Sequence, residues 1–164
     1  MNETYVECLV ARKSSGIMSF LKILLIMLTV VFVLIGMVFV PGLLVAIVMG
    51  IGAYFAYMNA DVEYEYLYLD KEISIDKVMA KSRRKKVGTF SVEKMEIMAP
   101  YNSYRLDNYK NREMKTVDYS SGVEQKPEKR YIMICEGGKK VILEPNEAMV
   151  KAIKNVAPRK TFTD

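Results

Sequence analysis

Residues 23–60 read ILLIMLTVVFVLIGMVFVPGLLVAIVMGIGAYFAYMNA, and none of these 38 residues is charged. An apolar run longer than about 18 residues is typical of a membrane span. As one helix the run would measure about 57 Å at 1.5 Å per residue, about twice the hydrocarbon thickness of a bilayer. The stretch therefore predicts two spans.

The break between the two spans is predicted at Val40-Pro41-Gly42. Proline lacks a main-chain N–H and restricts the residue before it, while glycine permits a positive φ, so the three residues favour a turn. This predicts a helical hairpin over residues 18–60, with spans at about 18–40 and 43–60. A connection this short requires the spans to be antiparallel, so both termini are expected on one side.

The charges that flank the run predict which side this is. Arg12, Lys13 and Lys22 precede the first span, and a segment rich in Lys and Arg follows the second, whereas the connection is uncharged. The positive-inside rule then places both termini in the cytoplasm and the protein in the cell membrane. Residues 1–17 form the N-terminal cytoplasmic segment. A cleaved signal peptide is not expected, because a second apolar span follows at once.

Residues 61–164 predict a β-rich cytoplasmic domain. In VEYEYLYL (62–69), Val62 and three tyrosines alternate with Glu63, Glu65 and two leucines, and a period of two with aromatic enrichment predicts a strand. The tyrosine stripe is expected to pack in the sheet rather than to form a ligand platform. Further strands are predicted at ISIDKVMA (73–80), KVGTFSV (86–92) and EKMEIMA (93–99).

The rest of this domain contains one clear hairpin and one helix. Residues 101–130 lack a regular pattern and predict a long connection, with a short helical turn around 107–114. RYIMICE and KKVILE flank Gly137-Gly138, which predicts a two-residue β-turn. A C-terminal helix is predicted over about 146–157, with Asn146 as its N-cap. TYVECLV, before the spans, is strand-like and can add an edge strand to the same sheet; this alternative stays open.

Antiparallel strands followed by one C-terminal helix are the element order of a pleckstrin-homology-like (PH-like) domain. ETYVECLV, VEYEYLYLDKEISIDKVMAKSRRKK and VILEPNEAMVKAIK also resemble stretches of a family of small two-span membrane proteins of Gram-positive bacteria, whose cytoplasmic domain is one of unknown function. The resemblance extends over residues 5–160. It implies a helical membrane hairpin plus an α+β domain, in which an antiparallel sheet or partly open barrel is closed by the helix. It brings no catalytic residue and no cofactor.

A basic cluster, Lys81–Lys86, follows two predicted strands of equal length, 62–69 and 73–80. The first strand leads away from the end of the second span and the next returns, so the cluster is expected back near the membrane surface. Three interpretations remain: a solvated turn, docking onto anionic lipid headgroups, and nucleic-acid binding, which no accompanying motif supports. The hypothetical lipid-binding residues are Lys81, Arg83, Arg84, Lys85 and Lys86.

The spans contain small residues at a spacing suited to close helix packing. The pairs are Ala46 with Gly50 and Gly52 with Ala56, and we expect them to pack the hairpin first and to support self-association second. The chain has no histidine and no nucleotide-binding glycine motif, so no catalytic residue is predicted. Its two cysteines are far apart in sequence, and neither a metal site nor a cofactor is expected.

The sequence therefore predicts a non-enzymatic, membrane-anchored binding or scaffold module. Its cytoplasmic domain is expected to dock on anionic lipid or on a membrane or cytoplasmic protein, or to bind a second copy of the chain; nucleic acid is not expected. The alternative is an accessory subunit of a membrane transport or secretion complex, assembled through the helical hairpin. The sequence names neither the protein partner nor the oligomeric state.

Overall fold

A computed structural model describes residues 5–123 and 127–163 of the chain. The first residues of the predicted N-terminal segment, three residues of the predicted 101–130 connection and Asp164 lie outside the described residues. The chain divides into two compact units. We call residues 13–62 with 78–83 the hairpin unit, and residues 1–12, 63–77 and 84–164 the β-domain.

The hairpin unit contains two long helices, α1 (Gly16–Val38) and α2 (Pro41–Ala60), where the sequence predicted spans at 18–40 and 43–60. Both are long and apolar enough to cross a membrane. Only Gly36 of α1 is buried, so most apolar side chains of that helix are exposed. An apolar surface of this extent is unfavourable in water and suits a hydrocarbon environment.

The first sheet contains four strands in the order β1-β2-β3-β4. β1 pairs antiparallel with β2, and Cys8 lies opposite Tyr66. Asp70 and Lys71, between β2 and β3, have φ of 50° and 63°, as a tight hairpin turn of the type I′ class requires. The strands are β1 (Val6–Ala11), β2 (Val62–Leu69), β3 (Glu72–Met79) and β4 (Arg83–Ser91).

The second sheet has the order β5-β7-β8-β6. Its strands are β5 (Met95–Pro100), β6 (Lys115–Asp118), β7 (Tyr131–Cys135) and β8 (Lys139–Leu143), with 3₁₀ turns at Tyr104–Tyr109 and Pro127–Lys129.

Two sequence expectations were wrong in this sheet. The irregular connection contains strand β6, which pairs parallel with β8. The hairpin loop between β7 and β8 has three residues rather than two, because Cys135 pairs with Lys139. Gly137 and Gly138 do supply the positive φ expected of them, at 91° and 74°.

One C-terminal helix, α3 (Glu147–Val156), follows the sheets. The Asn146 side chain accepts a hydrogen bond from the Met149 N–H at 2.8 Å, which satisfies one donor of the first turn. Both sheets are open rather than closed into a barrel. The predicted fold class, a helical hairpin plus antiparallel sheets with one C-terminal helix, is confirmed.

The β-domain has an apolar core to which both sheets and α3 contribute. Tyr66 of β2, Met133 of β7 and Ile153 of α3 are fully buried. A further buried cluster forms on the second sheet and consists of Ile97, Ala99, Leu106, Ile132 and Ile134. The expectation that the tyrosine stripe of β2 packs in the sheet is confirmed, since Tyr64, Tyr66 and Tyr68 are all buried.

Candidate functional site

The basic cluster is not the loop that the sequence predicted. Strand β4 begins at Arg83, so four of the five basic residues lie on a strand and only Lys81 lies in the turn. β4 is an outer strand of its sheet, and all five basic side chains belong to exposed residues. Charged residues, Lys in particular, are common on outer strands, where they discourage pairing with another sheet.

The turn before β4 is bound to the end of helix α2. Ala80 and Lys81 have φ of 47° and 53°, and the Ser82 N–H donates to the Met79 carbonyl at 3.1 Å. The Ala80 N–H donates to the carbonyl of Asp61, the residue directly after α2, at 2.7 Å. Lys81 therefore lies at the end of the hairpin that is remote from the Phe39–Val40 connection.

Arg84 differs from the other basic residues because it forms an ion pair. Its Nη2 lies 2.6 Å from Oε2 of Glu65, whose side chain is only 7% exposed. The pKa of Glu65 is raised mainly by a hydrogen bond with Glu7 and, to a smaller extent, by burial. The same hydrogen bond lowers the pKa of Glu7. Arg84 therefore compensates a buried carboxyl group and is less available to an external anion.

The remaining basic residues of the cluster have no such partner. Within residues 5–123 and 127–163, Lys81, Arg83, Lys85 and Lys86 form no ion pair. Exposed cations that follow directly on the end of an apolar helical hairpin can bind the phosphates of anionic headgroups. The arrangement suits electrostatic binding.

The four small residues predicted for helix packing all lie on α2. Ala46 and Ala56 are buried. A Cβ atom at Gly50 would lie 3.7 Å from Cγ2 of Thr29, and one at Gly52 would lie 3.8 Å from Cδ1 of Leu25, so both glycines face α1 at ordinary contact distance. Self-association through these residues stays a prediction.

Sequence reasoning missed the two glycines that approach most closely. A Cβ atom at Gly36 would lie 2.7 Å from the Leu43 side chain, and one at Gly42 would lie 3.0 Å from the Gly36 nitrogen. Gly36 and Gly42 lie on opposite sides of the turn, and both are buried. The two glycines lie on different helices and meet only because the chain turns between them. A spacing of small residues within one helix therefore does not predict their contact.

A second surface of the β-domain is a groove of about 830 Å³ between β1 and α3. Because β1 is an outer strand, half of its main-chain groups point away from β2 and can pair with an extended chain. One of these main-chain groups, the Glu7 carbonyl, already accepts a hydrogen bond from the side-chain amide of Asn146 at 3.3 Å. The sequence did not reveal this groove, because its walls are more than 130 residues apart in the chain.

The described residues contain no group of three or more His, Cys, Asp or Glu side chains arranged to hold a metal ion. Cys8 and Cys135 are free thiols. Burial raises the pKa of both thiols, so both are poor nucleophiles near neutral pH.

Comparison with known families accounts for nearly the whole chain. The family model described as "Bacterial PH-like domain (DUF6106)" matches residues 2–163. The chain belongs to this family. The family resemblance predicted from the sequence is thereby confirmed, and PH-like domains are generally non-enzymatic. No curated protein and no solved structure matches the DUF6106 chain.

Proposed function

We propose that this DUF6106 protein is a non-enzymatic, membrane-anchored binding module that has both termini in the cytoplasm and docks its β-domain on anionic lipid. The observation that carries the proposal is the hydrogen bond from the Ala80 N–H to the Asp61 carbonyl, which holds the turn of Lys81 at the end of α2. With the hairpin in a bilayer, this end meets the headgroups. Lys81 and Arg83 are then the residues of the basic cluster nearest to the headgroups.

Electrostatic arithmetic supports a moderate interaction. Each Lys or Arg near an anionic leaflet contributes about 1 kcal/mol, and the effect falls off within a Debye length of about 8 Å at physiological salt. Without Arg84, which is paired with Glu65, four cations remain. Their sum after screening is a few kcal/mol, enough to hold a tethered domain against the surface because tethering makes docking intramolecular.

Other interpretations predict different outcomes. If the charges only protect the outer strand β4, anionic lipid will not affect that strand. If the protein is instead a subunit of a transport or secretion complex assembled through its hairpin, the changes that damage function will fall at Ala46, Gly50, Gly52 or Ala56. A protein partner, homo-oligomerisation and nucleic-acid binding also stay untested, and the net charge of +5 is modest for the last of these.

Hydrogen–deuterium exchange on the full chain in lipid nanodiscs tests the docking. Discs of phosphatidylcholine alone are compared with discs that also contain phosphatidylglycerol, at low and high salt. We expect anionic lipid to slow exchange several-fold in residues 80–86, because outward amides of an outer strand are otherwise open to water. High salt should reverse the protection. A variant with four substitutions should lose it: Lys81→Gln, Arg83→Gln, Lys85→Gln and Lys86→Gln.

A matched variant separates local docking from net charge. It removes the same four positive charges from exposed lysines elsewhere on the β-domain and should keep the protection. Exchange at residues 80–86 that is identical in neutral and anionic discs would contradict the proposal, as would equal loss in both variants. The control substitutions are Lys94→Gln, Lys129→Gln, Lys151→Gln and Lys154→Gln.

A further inference from the structure

The tip of the helical hairpin, residues 37–41, is apolar and uncharged. Met37, Val38 and Val40 are 79%, 92% and 73% exposed, so the tip presents large hydrophobic side chains outward. A loop between two complete spans normally carries polar residues, because it lies in water or among headgroups. The side chains at this tip are as apolar as those on the exposed surface of the two helices. The apolar surface therefore extends from the helices over the tip.

Three main-chain N–H groups at the tip donate hydrogen bonds within the turn. The Phe39 N–H donates to the Ile35 carbonyl at 2.9 Å, the Gly42 N–H donates to the Phe39 carbonyl at 2.9 Å, and the Leu43 N–H donates to the Val40 carbonyl at 3.0 Å. Pro41 has no N–H to satisfy. Irregular backbone is excluded from hydrocarbon chiefly by unpaired polar groups, and these three bonds reduce their number at the turn.

The length of the hairpin gives an independent measure of depth. The Lys22 Nζ atom lies 5.4 Å from the centre of the Tyr57 ring, so the two residues mark one level of the hairpin. Lys and Tyr at the ends of membrane helices lie at the interface. Lys22 to Val38 and Pro41 to Tyr57 are each sixteen residue steps, or about 24 Å. The hydrocarbon core is about 30 Å thick, and helix tilt shortens the reach further.

We infer that the hairpin tip ends inside the hydrocarbon of the far leaflet and presents no loop to water on the far side. Acyl chains surround it, and every polar group that anchors the hairpin lies on the side of Lys22. The inference goes beyond the proposed function. It concerns only the depth of the hairpin and does not depend on anionic lipid or on the basic cluster.

Tryptophan fluorescence tests this directly, because the chain contains no tryptophan. The variant Val40→Trp, in the full chain, is reconstituted into phosphatidylcholine vesicles with or without bromine on the acyl chains. We expect a blue-shifted emission that brominated lipid quenches strongly. Iodide, added outside or enclosed within the vesicles, should quench it several-fold less than it quenches a matched Ser14→Trp variant at the other end of the hairpin.

Strong quenching of Val40→Trp by iodide from either side would overturn the inference, since the tip would then lie in water. Absence of quenching by both brominated lipid and iodide would also overturn it, because a protein surface would then cover the tip. Val38→Trp gives a second reporter in case one substitution disturbs the turn. Circular dichroism confirms that the helices are retained in each variant.

Discussion

Glu7 on β1 and Glu65 on β2 are two carboxyl groups that interact across neighbouring strands. Leu9 lies opposite Glu65 and Glu7 lies opposite Leu67, so the two carboxylates are diagonal neighbours on one face of the sheet. Their interaction raises the pKa of Glu65 and lowers that of Glu7, so Glu65 keeps its proton to a higher pH than Glu7 does. Arg84 opposes the rise of the Glu65 pKa.

We expect Glu7→Gln to stabilise the protein increasingly as the pH rises. A carboxyl group whose pKa is raised by folding contributes stability below its unfolded pKa, and this contribution is lost as the pH rises through the folded value. The amide of a glutamine can donate to ionised Glu65 and adds no second negative charge. Glu65 can then ionise beside Arg84 without repulsion from residue 7.

Thermal unfolding of the full chain in detergent micelles, followed by tyrosine fluorescence between about pH 4 and pH 8, measures the effect. The difference in unfolding midpoint, variant minus wild type, should grow toward higher pH. Glu63→Gln removes the same charge from the neighbouring strand β2 and serves as the control. A difference that is independent of pH would show that Glu7 does not affect the ionisation of Glu65.

Single residues also show how far sequence reasoning extends. The alternation of VEYEYLYL was sufficient to place Tyr66 inside. It was not sufficient to show that the Tyr66 hydroxyl donates to the Tyr119 carbonyl and accepts from the Glu144 N–H. These partners are 53 and 78 residues away in the chain, and local periodicity carries no information about pairing at that distance.

The helical hairpin depends on the close approach of its helices beside the turn. A Cβ atom at Gly36 would meet the Leu43 side chain at 2.7 Å and the Leu43 nitrogen at 2.8 Å, so the helices must shift to accept it. At Gly52 the nearest atom would be at 3.8 Å, an ordinary contact. We therefore expect Gly36→Ala to destabilise the hairpin by about 1 kcal/mol or more, and Gly52→Ala to be neutral or slightly stabilising.

Titration of the micelle-bound full chain with sodium dodecyl sulfate, followed by the helical circular dichroism signal, compares the two variants. Gly36→Ala should unfold at a lower detergent fraction than wild type, while Gly52→Ala should not. Equal sensitivity at both positions would mean that small residues along the whole of α2, rather than the turn, determine the packing of the hairpin.

The elements differ in how well the sequence predicted them, for physical reasons. β2 was predicted over its full extent because one of its faces is buried and its pattern alternates. β6 was missed because its four residues, KTVD, bury little, and its parallel partner β8 lies beyond an intervening strand. The basic residues at the start of β4 were predicted to form a turn. The error arose because an outer strand carries charged residues where an inner strand carries apolar ones.

At the scale of the whole molecule, the helical hairpin is an insertion between two paired strands. β1 precedes α1, β2 follows α2, and Ala11 lies opposite Glu63 in the sheet. The Arg12 guanidinium donates to the Tyr64 hydroxyl at 2.9 Å, so the residue after β1 is also held on the β-domain. The register of the sheet therefore brings the two ends of the insertion together without the helices.

We predict that the β-domain folds as a soluble protein when the insertion is replaced by a tight turn. Substituting Asn-Gly for residues 13–61 leaves Arg12 and Val62 beside a two-residue turn of the type preferred in β-hairpins. The shortened chain should remain in solution without detergent and unfold cooperatively in urea, as followed by tyrosine fluorescence. By contrast, a fragment that begins at Val62 lacks β1 and should be several kcal/mol less stable.

The difference between these two chains is a direct measure of what β1 contributes. Cys8 and Val10 are each more than 90% buried, and a fully buried apolar side chain contributes about 1.5–3 kcal/mol. Without β1, strand β2 also becomes an outer strand and exposes its main-chain groups, which favours aggregation. Equal stability of the two chains would show that β1 contributes nothing to the stability of the β-domain. A joined chain that still required detergent would show that the β-domain depends on the hairpin unit to fold.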